Sequence, residues 1–427
     1  MSASGRTTVA VAFGGASPEH EVSVISAHQV LAAIDPDRFE AVPVYVGKDG
    51  RWYVGGDVGK LAAYTDLGAL RSSAIQVTLR PGTFGQLILV PERRGLFRKS
   101  PQPIAVDVMF LAFHGGSGED GGVQGLCESF GVAYTGSGIL ASSVGMDKVV
   151  SKQLCREAGI PVVEYVGVSE WEWAGSEDAW LDVVEDRIGF PVVVKPARLG
   201  SSIGIEIAKD RASLDRTIEE AFRFDSKIVV ERAVTRLKEI NCSVLGWSDS
   251  VRLSALEQPV GSEAGQLLTF ADKYQRGSSE GASKRGEGES RGASPAKRGT
   301  EMSSGMASLD RIIPAPVDSG TEARIREIAA AVFRLFDCAG VARIDFLIDE
   351  DTDTVFFNEI NTLPGSFSFY LWDPVGIDFT RLVTELIEIA LSRHRSLSAR
   401  VRTYDVNLLS ERSVRGLKGA KSGSRRA

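Results

Sequence analysis

Apolar positions in this chain fall into two patterns: short unbroken runs, and stretches with apolar residues three or four apart. Residues 8–13 form an apolar run and residues 22–34 carry apolar side chains at helical spacing. Between them lies Gly14-Gly15-Ala16-Ser17-Pro18-Glu19-His20-Glu21. Strand, glycine turn and helix predict the opening of a parallel α/β domain. Residues 42–46 and 105–112 predict further strands, whereas 52–99 has no readable period. Its Arg93, Arg94, Arg98 and Lys99 read as a solvated loop. Helices are predicted over 123–130, from Met146-Asp147-Lys148 to Ala158, and over 213–222, 322–336 and 378–392. Strands are predicted over 190–196, 227–231 and from Lys238 to Leu245.

The most informative pattern is residues 342–365. Two short strands, 344–348 and 355–357, flank an acidic turn at 349–353 that reads as a solvated surface. Asp345 sits in the first strand, Glu359 at the end of the second and Asn361 two residues on. Residues two apart on a strand share a face, so Glu359 and Asn361 converge, and a paired hairpin brings Asp345 opposite them. Three hard oxygen donors, two of them anionic, suit Mg²⁺, which completes its shell with water and substrate phosphate. Arg343 adds a fixed positive charge and a planar donor fork.

At 427 residues the chain is long enough for two or three domains. A net charge of −7 argues against general nucleic-acid binding, which needs a basic face. The four cysteines are far apart with no CxxC pair and fit buried thiols of a reducing compartment. The amino-terminal apolar run is too short for a signal peptide and no stretch has the length of a membrane span, so a cytoplasmic protein is expected. Residues 275–304 are rich in Gly, Ser and charge and predict a mobile insertion, and residues 396–427 a disordered basic tail.

Other candidate chemistry is scattered. The glycine-rich segment 114–122 carries His114, for which a substrate-side role and a structural role are both open. The loop Leu199-Gly200-Ser201-Ser202-Ile203-Gly204 can present backbone N–H groups and hydroxyls to phosphate, and Lys148 and Lys195 can add point charges. No GK[ST] closes this loop, so it is not a Walker A motif, and no GxGxxG follows the first strand. Glu231 and Glu239 can accept from an adenine amine and ribose hydroxyls; ordinary solvation at strand ends is the simpler account of their spacing.

Six motifs in order resemble the D-alanine–D-alanine ligases of the ATP-grasp superfamily: GGASPEHEVSVISA (14–27), HGGSGEDGGVQG (114–125), YTGSGILASSVGMDK (134–148), VVVKPARLGSSIG (192–204), ADKY (271–274) and ARIDF…NEINTLPG (342–365). The resemblance implies an α/β (α+β) chain with an ATP-grasp fold. It implies an amino-terminal parallel α/β domain over 1–135, a central subdomain over 136–234 and a carboxy-terminal subdomain over 235–395. It implies ATP as substrate with two Mg²⁺ ions (or Mn²⁺), small amino acids as partners in the reaction, no nucleic acid or membrane, and a homodimer.

Carried over by position, Lys148 and Lys195 would hold ATP phosphates beneath the loop with Ser201 and Ser202. Glu231 would meet adenine, and Glu239 the ribose, with one extra residue between them here. Asp345, Glu359 and Asn361 would hold the metal ions. Glu19 would take the first substrate's ammonium, with Ser201 and Tyr274 completing a hydrogen-bonded set and His114 nearby. Arg343 and the N–H of Gly365 would stabilise the oxyanion, and Lys273 would face phosphate or carboxylate. The run after Pro364 departs from the family: Tyr370 stands where a serine usually binds the second substrate's carboxylate. Ser366, Ser368 and neighbouring Leu371 are the other candidates there. The second substrate is therefore open between D-alanine, D-serine, D-lactate and an amino acid of a specialised peptide. A nucleotide-binding regulator without chemistry is the rival of a different class, and the intact metal set and Arg343 count against it.

Overall fold

The computed structural model describes residues 5–83, 85–92, 101–259 and 311–401. Three sheets organise them. The first has eight strands, in the order Ile104–Val106, Leu87–Pro91, Ile75–Pro81, Trp52–Val54, Phe39–Val46, Thr7–Gly14, Val108–Leu111, Ala133–Tyr134. Its last four strands are parallel, as the strand–turn–helix opening predicts. The other four form an antiparallel meander, three of them in the region without a readable period.

The apolar run at 105–112 is two strands, not one. Asp107 divides it, and its carboxylate accepts from the Thr8 amide at 2.9 Å and from Gln86 Nε2 at 2.7 Å. One residue thus separates a strand at one edge of the sheet from a strand near the other, so the sheet must curl to bring them together.

The second sheet is antiparallel, ordered Glu206–Ala208, Val192–Pro196, Lys227–Arg232, Tyr165–Ser169. Glu177–Arg187 and Arg211–Phe222 pack on it around Leu181, Leu214 and Ile218. The third is also antiparallel, ordered Arg311–Ile312, Ser250–Pro259, Leu237–Trp247, Ala339–Asp349, Thr354–Asn361. Ser319–Leu335 covers one face of it through Ile325, Val332 and Phe333.

The helix predicted to open at Met146-Asp147-Lys148 is present as Lys148–Glu157, and a further helix that the periodicity does not predict precedes it. That helix is Ile139–Met146, and the Asp147 carboxylate caps Lys148–Glu157 by accepting from Val149 and Val150 N–H at 3.0 Å. The last helix, Phe379–Ser398, runs past its predicted end, and its Leu382, Val383 and Leu386 share one apolar cluster with the first sheet. All four cysteines are buried and free, as expected.

Candidate active site

A cavity of about 220 Å³ opens where the three sheets meet. Its lining includes Glu19 and His114 beside the first sheet, Lys195 and Glu231 on the second, and Arg343, Asp345, Glu359 and Asn361 on the third. Lys148, Ser201, Ser202, Glu239, Gly365 and Tyr370 also line it. Lys273 and Tyr274 lie outside the described residues.

The hairpin pairs as its periodicity demands. Asp345 stands opposite Glu359 and Arg343 opposite Asn361, with a bulge between Asp345 and Phe346. Asp345 accepts from Arg343 Nε and Nη2, both at 2.7 Å, and from Asn361 Nδ2 at 3.1 Å. Glu359 Oε2 lies 3.2 Å from Lys148 Nζ. Burial opposes the Arg343 charge, but Asp345 more than offsets it and lifts the guanidinium pKa well above its ordinary value. Among the described residues no group of three or more His, Cys, Asp or Glu side chains gathers to hold a metal. The hairpin offers two carboxylates and one amide. That set fits a divalent ion that takes its other ligands from phosphate oxygens and water.

Beside it lies a second buried charge group. Lys195 Nζ donates to Glu231 Oε2 at 2.7 Å, and Lys152 Nζ sits 3.2 Å from Oε1. Lys152 is fully buried and also donates to the Asn358 carbonyl at 2.9 Å. Burial works against the Glu231 charge, but the two lysines keep its carboxyl below its ordinary value. Two cations on one anion leave an excess positive charge, which suits phosphate. Lys152 was not singled out in the sequence. The available signal was its position four residues after Lys148, on the same helical face.

The glycine-serine loop is held from both ends. Lys148 Nζ donates to the Leu199 carbonyl at 2.7 Å, and Ser201 Oγ donates to Glu19 Oε1. Ser201 and Ser202 adopt φ of +54° and +57°, a left-handed conformation that non-glycine residues rarely hold. Gly115 faces the same carboxylate with φ +65°, and a Cβ there would sit 2.7 Å from Glu19 Oε2. Its N–H donates to Glu119 Oε2 at 2.9 Å. Burial, reinforced by the nearby Glu19 charge, pushes the Glu119 carboxyl up to about 8.

His114 is 3% exposed. Its Nδ1 lies 3.0 Å from the Leu363 carbonyl and its Nε2 2.8 Å from Ser26 Oγ. Only a donor satisfies the carbonyl, so the proton belongs on Nδ1 and Nε2 accepts from Ser26. The Ser366 N–H donates to the same Ser26 Oγ at 3.1 Å. Burial holds the imidazole pKa down at about 4. The turn bracketed this way carries Gly365 and then three left-handed residues, Ser366, Phe367 and Ser368. Phe367 anchors that run by packing edge-on against Phe110, with ring centroids 5.2 Å apart. Ser366, Ser368 and Leu371 are buried and, unlike Gly365 and Tyr370, do not line the cavity.

On the far wall of the cavity, Tyr370 meets two residues that the sequence motifs do not include, Glu257 and Arg311. Tyr370 O–H donates to Glu257 Oε2 at 3.3 Å, and Arg311 Nη1 lies 3.1 Å from Glu257 Oε1. Glu257 and Arg311 come from strands outside every motif quoted above, so no local signal marked them.

The model of the D-ala D-ala ligase N-terminus matches residues 8–137. That of the D-ala D-ala ligase C-terminus matches residues 154–285 and 301–388. The chain is 33% identical to a D-alanine–D-alanine ligase of Thermosipho melanesiensis over 401 residues, covering 94% of this chain and 98% of that one. Among solved structures it resembles the D-alanine-D-alanine ligase from Coxiella burnetii, with a TM-score of 0.71, 25% identity, and 92% and 96% of the two chains covered. It also resembles a D-Ala:D-Ser ligase from Enterococcus faecalis, with a TM-score of 0.69, 26% identity, and 90% and 99% covered. A cavity lined from three sheets by residues of five of the six ordered motifs, together with matches over both halves of the chain, leads to one conclusion: this chain belongs to the D-alanine–D-alanine ligase family.

Proposed function

We propose that the protein joins two D-alanines to D-alanyl-D-alanine at the expense of ATP, for peptidoglycan precursor synthesis. The observation that carries this is one cavity lined together by Lys148 and Lys195, the Asp345–Glu359–Asn361 set and the Arg343–Gly365 pair, with Lys152 buried behind Glu231. A carboxylate is a poor acyl donor, so it first attacks the γ-phosphate of ATP, giving an acyl phosphate and ADP. Lys148 and Lys195 neutralise charge on the transferring phosphoryl group. Asp345, Glu359 and Asn361 would hold the two divalent ions, Mg²⁺ with Mn²⁺ as substitute, which would supply further neutralisation when bound. The second amine attacks the acyl carbonyl, and Arg343 and the Gly365 N–H receive the oxyanion before phosphate leaves.

Glu19 holds the first ammonium, with Ser201 fixed against it, and Ser202, Glu231, Glu239 and Lys273 serve the nucleotide. Tyr274 completes the closure over the substrates. His114 acts on this site by holding the 363–366 turn, through its contacts with Leu363 and Ser26. Three units divided near 135 and 235, a cytoplasmic setting that fits four buried free thiols, and a homodimer belong to the same reading. The test is phosphate release across a panel of paired D- and L-amino acids, with product mass determined. D-alanine alone should give the dipeptide. No turnover with D-alanine alone, alongside turnover with another pair, would replace this reading with a ligase of different second substrate.

A further inference from the structure

We propose that Arg311 anchors the carboxylate of the second amino acid, oriented by Glu257 and by the ring of Tyr370; this rests on the ligase reading above. Arg311 sits on the edge strand of the third sheet, with Pro259 as its register partner. Its side chain is only 10% exposed, yet it lines the cavity. Its guanidinium lies 3.8 Å from the centroid of the Tyr370 ring, and Nη1 lies 3.1 Å from Glu257 Oε1. Glu257 Oε2 accepts from Tyr370 O–H at 3.3 Å and from Asn241 Nδ2 at 3.4 Å. Glu257 is thus held from both oxygens, and the guanidinium plane is set by an ion pair and a stacked ring together. A planar fork of five donors held this way is the side chain suited to a bidentate carboxylate.

Position argues for the same role. In an α-amino acid one carbon separates the attacking nitrogen from the carboxylate, so the carboxylate's anchor must lie beside the reacting carbonyl. Arg343, assigned to that carbonyl, is within electrostatic reach of both Tyr370 and Glu257. Tyr370 stands where the family's serine is expected, but its hydroxyl is committed to Glu257. Ser366 and Ser368 are buried away from the cavity lining. The tyrosine therefore does not replace the serine as a carboxylate ligand. It supports an arginine that does.

The test compares D-alanine with D-alaninamide as the second amine, in the wild type and in Arg311→Ala, Arg311→Lys and Arg311→Gln variants. The preference for carboxylate over amide is a ratio measured within each enzyme, so partial misfolding cancels, and the lysine variant carries the test if the alanine variant does not fold. The preference should fall at least about tenfold in Arg311→Ala and less in Arg311→Lys. A second readout traps the acyl phosphate with hydroxylamine as D-alanine hydroxamate, which needs no second amino acid. That half-reaction should stay within about twofold of wild type. An unchanged preference, or equal losses in both readouts, overturns the Arg311 assignment alone. A wild type that makes neither dipeptide nor hydroxamate overturns the ligase reading with it.

Discussion

His114 and Leu363 are 249 residues apart and meet at 3.0 Å, imidazole N–H to backbone carbonyl, at the turn that leads into Gly365. Through Ser26 the same ring also holds the Ser366 amide. A buried neutral histidine with both nitrogens engaged acts here as a bracket, and the turn it holds carries Gly365 in the cavity lining.

His114→Ala should cost about 1–3 kcal/mol, because it strands the Leu363 carbonyl and the Ser26 hydroxyl. Burial holds the folded imidazole at about 4, against 6.5 for a free histidine. Its stabilising contribution is therefore fully present above pH 6.5 and is lost as pH falls toward and through 4. Urea midpoints across pH 4–7 should fall less steeply for His114→Gln than for wild type.

Glu119 has the opposite sign. Its carboxyl titrates near 8 in the folded chain, pushed up by burial and by the Glu19 charge, against an ordinary 4.5. Between those values the folded chain keeps a proton that the unfolded chain has released. Stability therefore falls as pH rises across that window and levels off above it. Glu119→Gln should remove that slope, and denaturation midpoints at pH 5 and pH 9 should then differ less than in wild type.

Glu359→Gln keeps the shape of the hairpin and removes one of its two carboxylates. The divalent-ion concentration giving half-maximal activity should rise at least about tenfold, with a fall in kcat. Titrating activity with Mg²⁺ and Mn²⁺ measures this; full activity at the wild-type ion concentration would refute the metal assignment.

Lys152→Met separates burial from chemistry. The change removes one of the two cations on Glu231 and leaves the Asn358 carbonyl unpaired, so it should lower stability by about 3 kcal/mol. Lys195→Met, on the cavity wall, should raise the KM for ATP as well. Chemical denaturation and initial-rate kinetics on the two variants distinguish these effects.

The sequence by itself determined what short-range periodicity and local motifs can carry. A period of two put Asp345, Glu359 and Asn361 on one face of a hairpin, and the structure pairs Asp345 with Glu359. Strand, glycine turn and helix announced the parallel half of the first sheet, and the order of six motifs announced the family. The tertiary structure alone decided which distant groups share a charge or a proton. Glu231 lies between Lys152 and Lys195, and Glu257 between Arg311 and Tyr370. Such partners are chosen by sheet order and curvature, as where Asp107 joins two ends of a curled sheet. No window of neighbouring residues records sheet order, because hydrophobic period fixes only the face a side chain takes and not the element it meets.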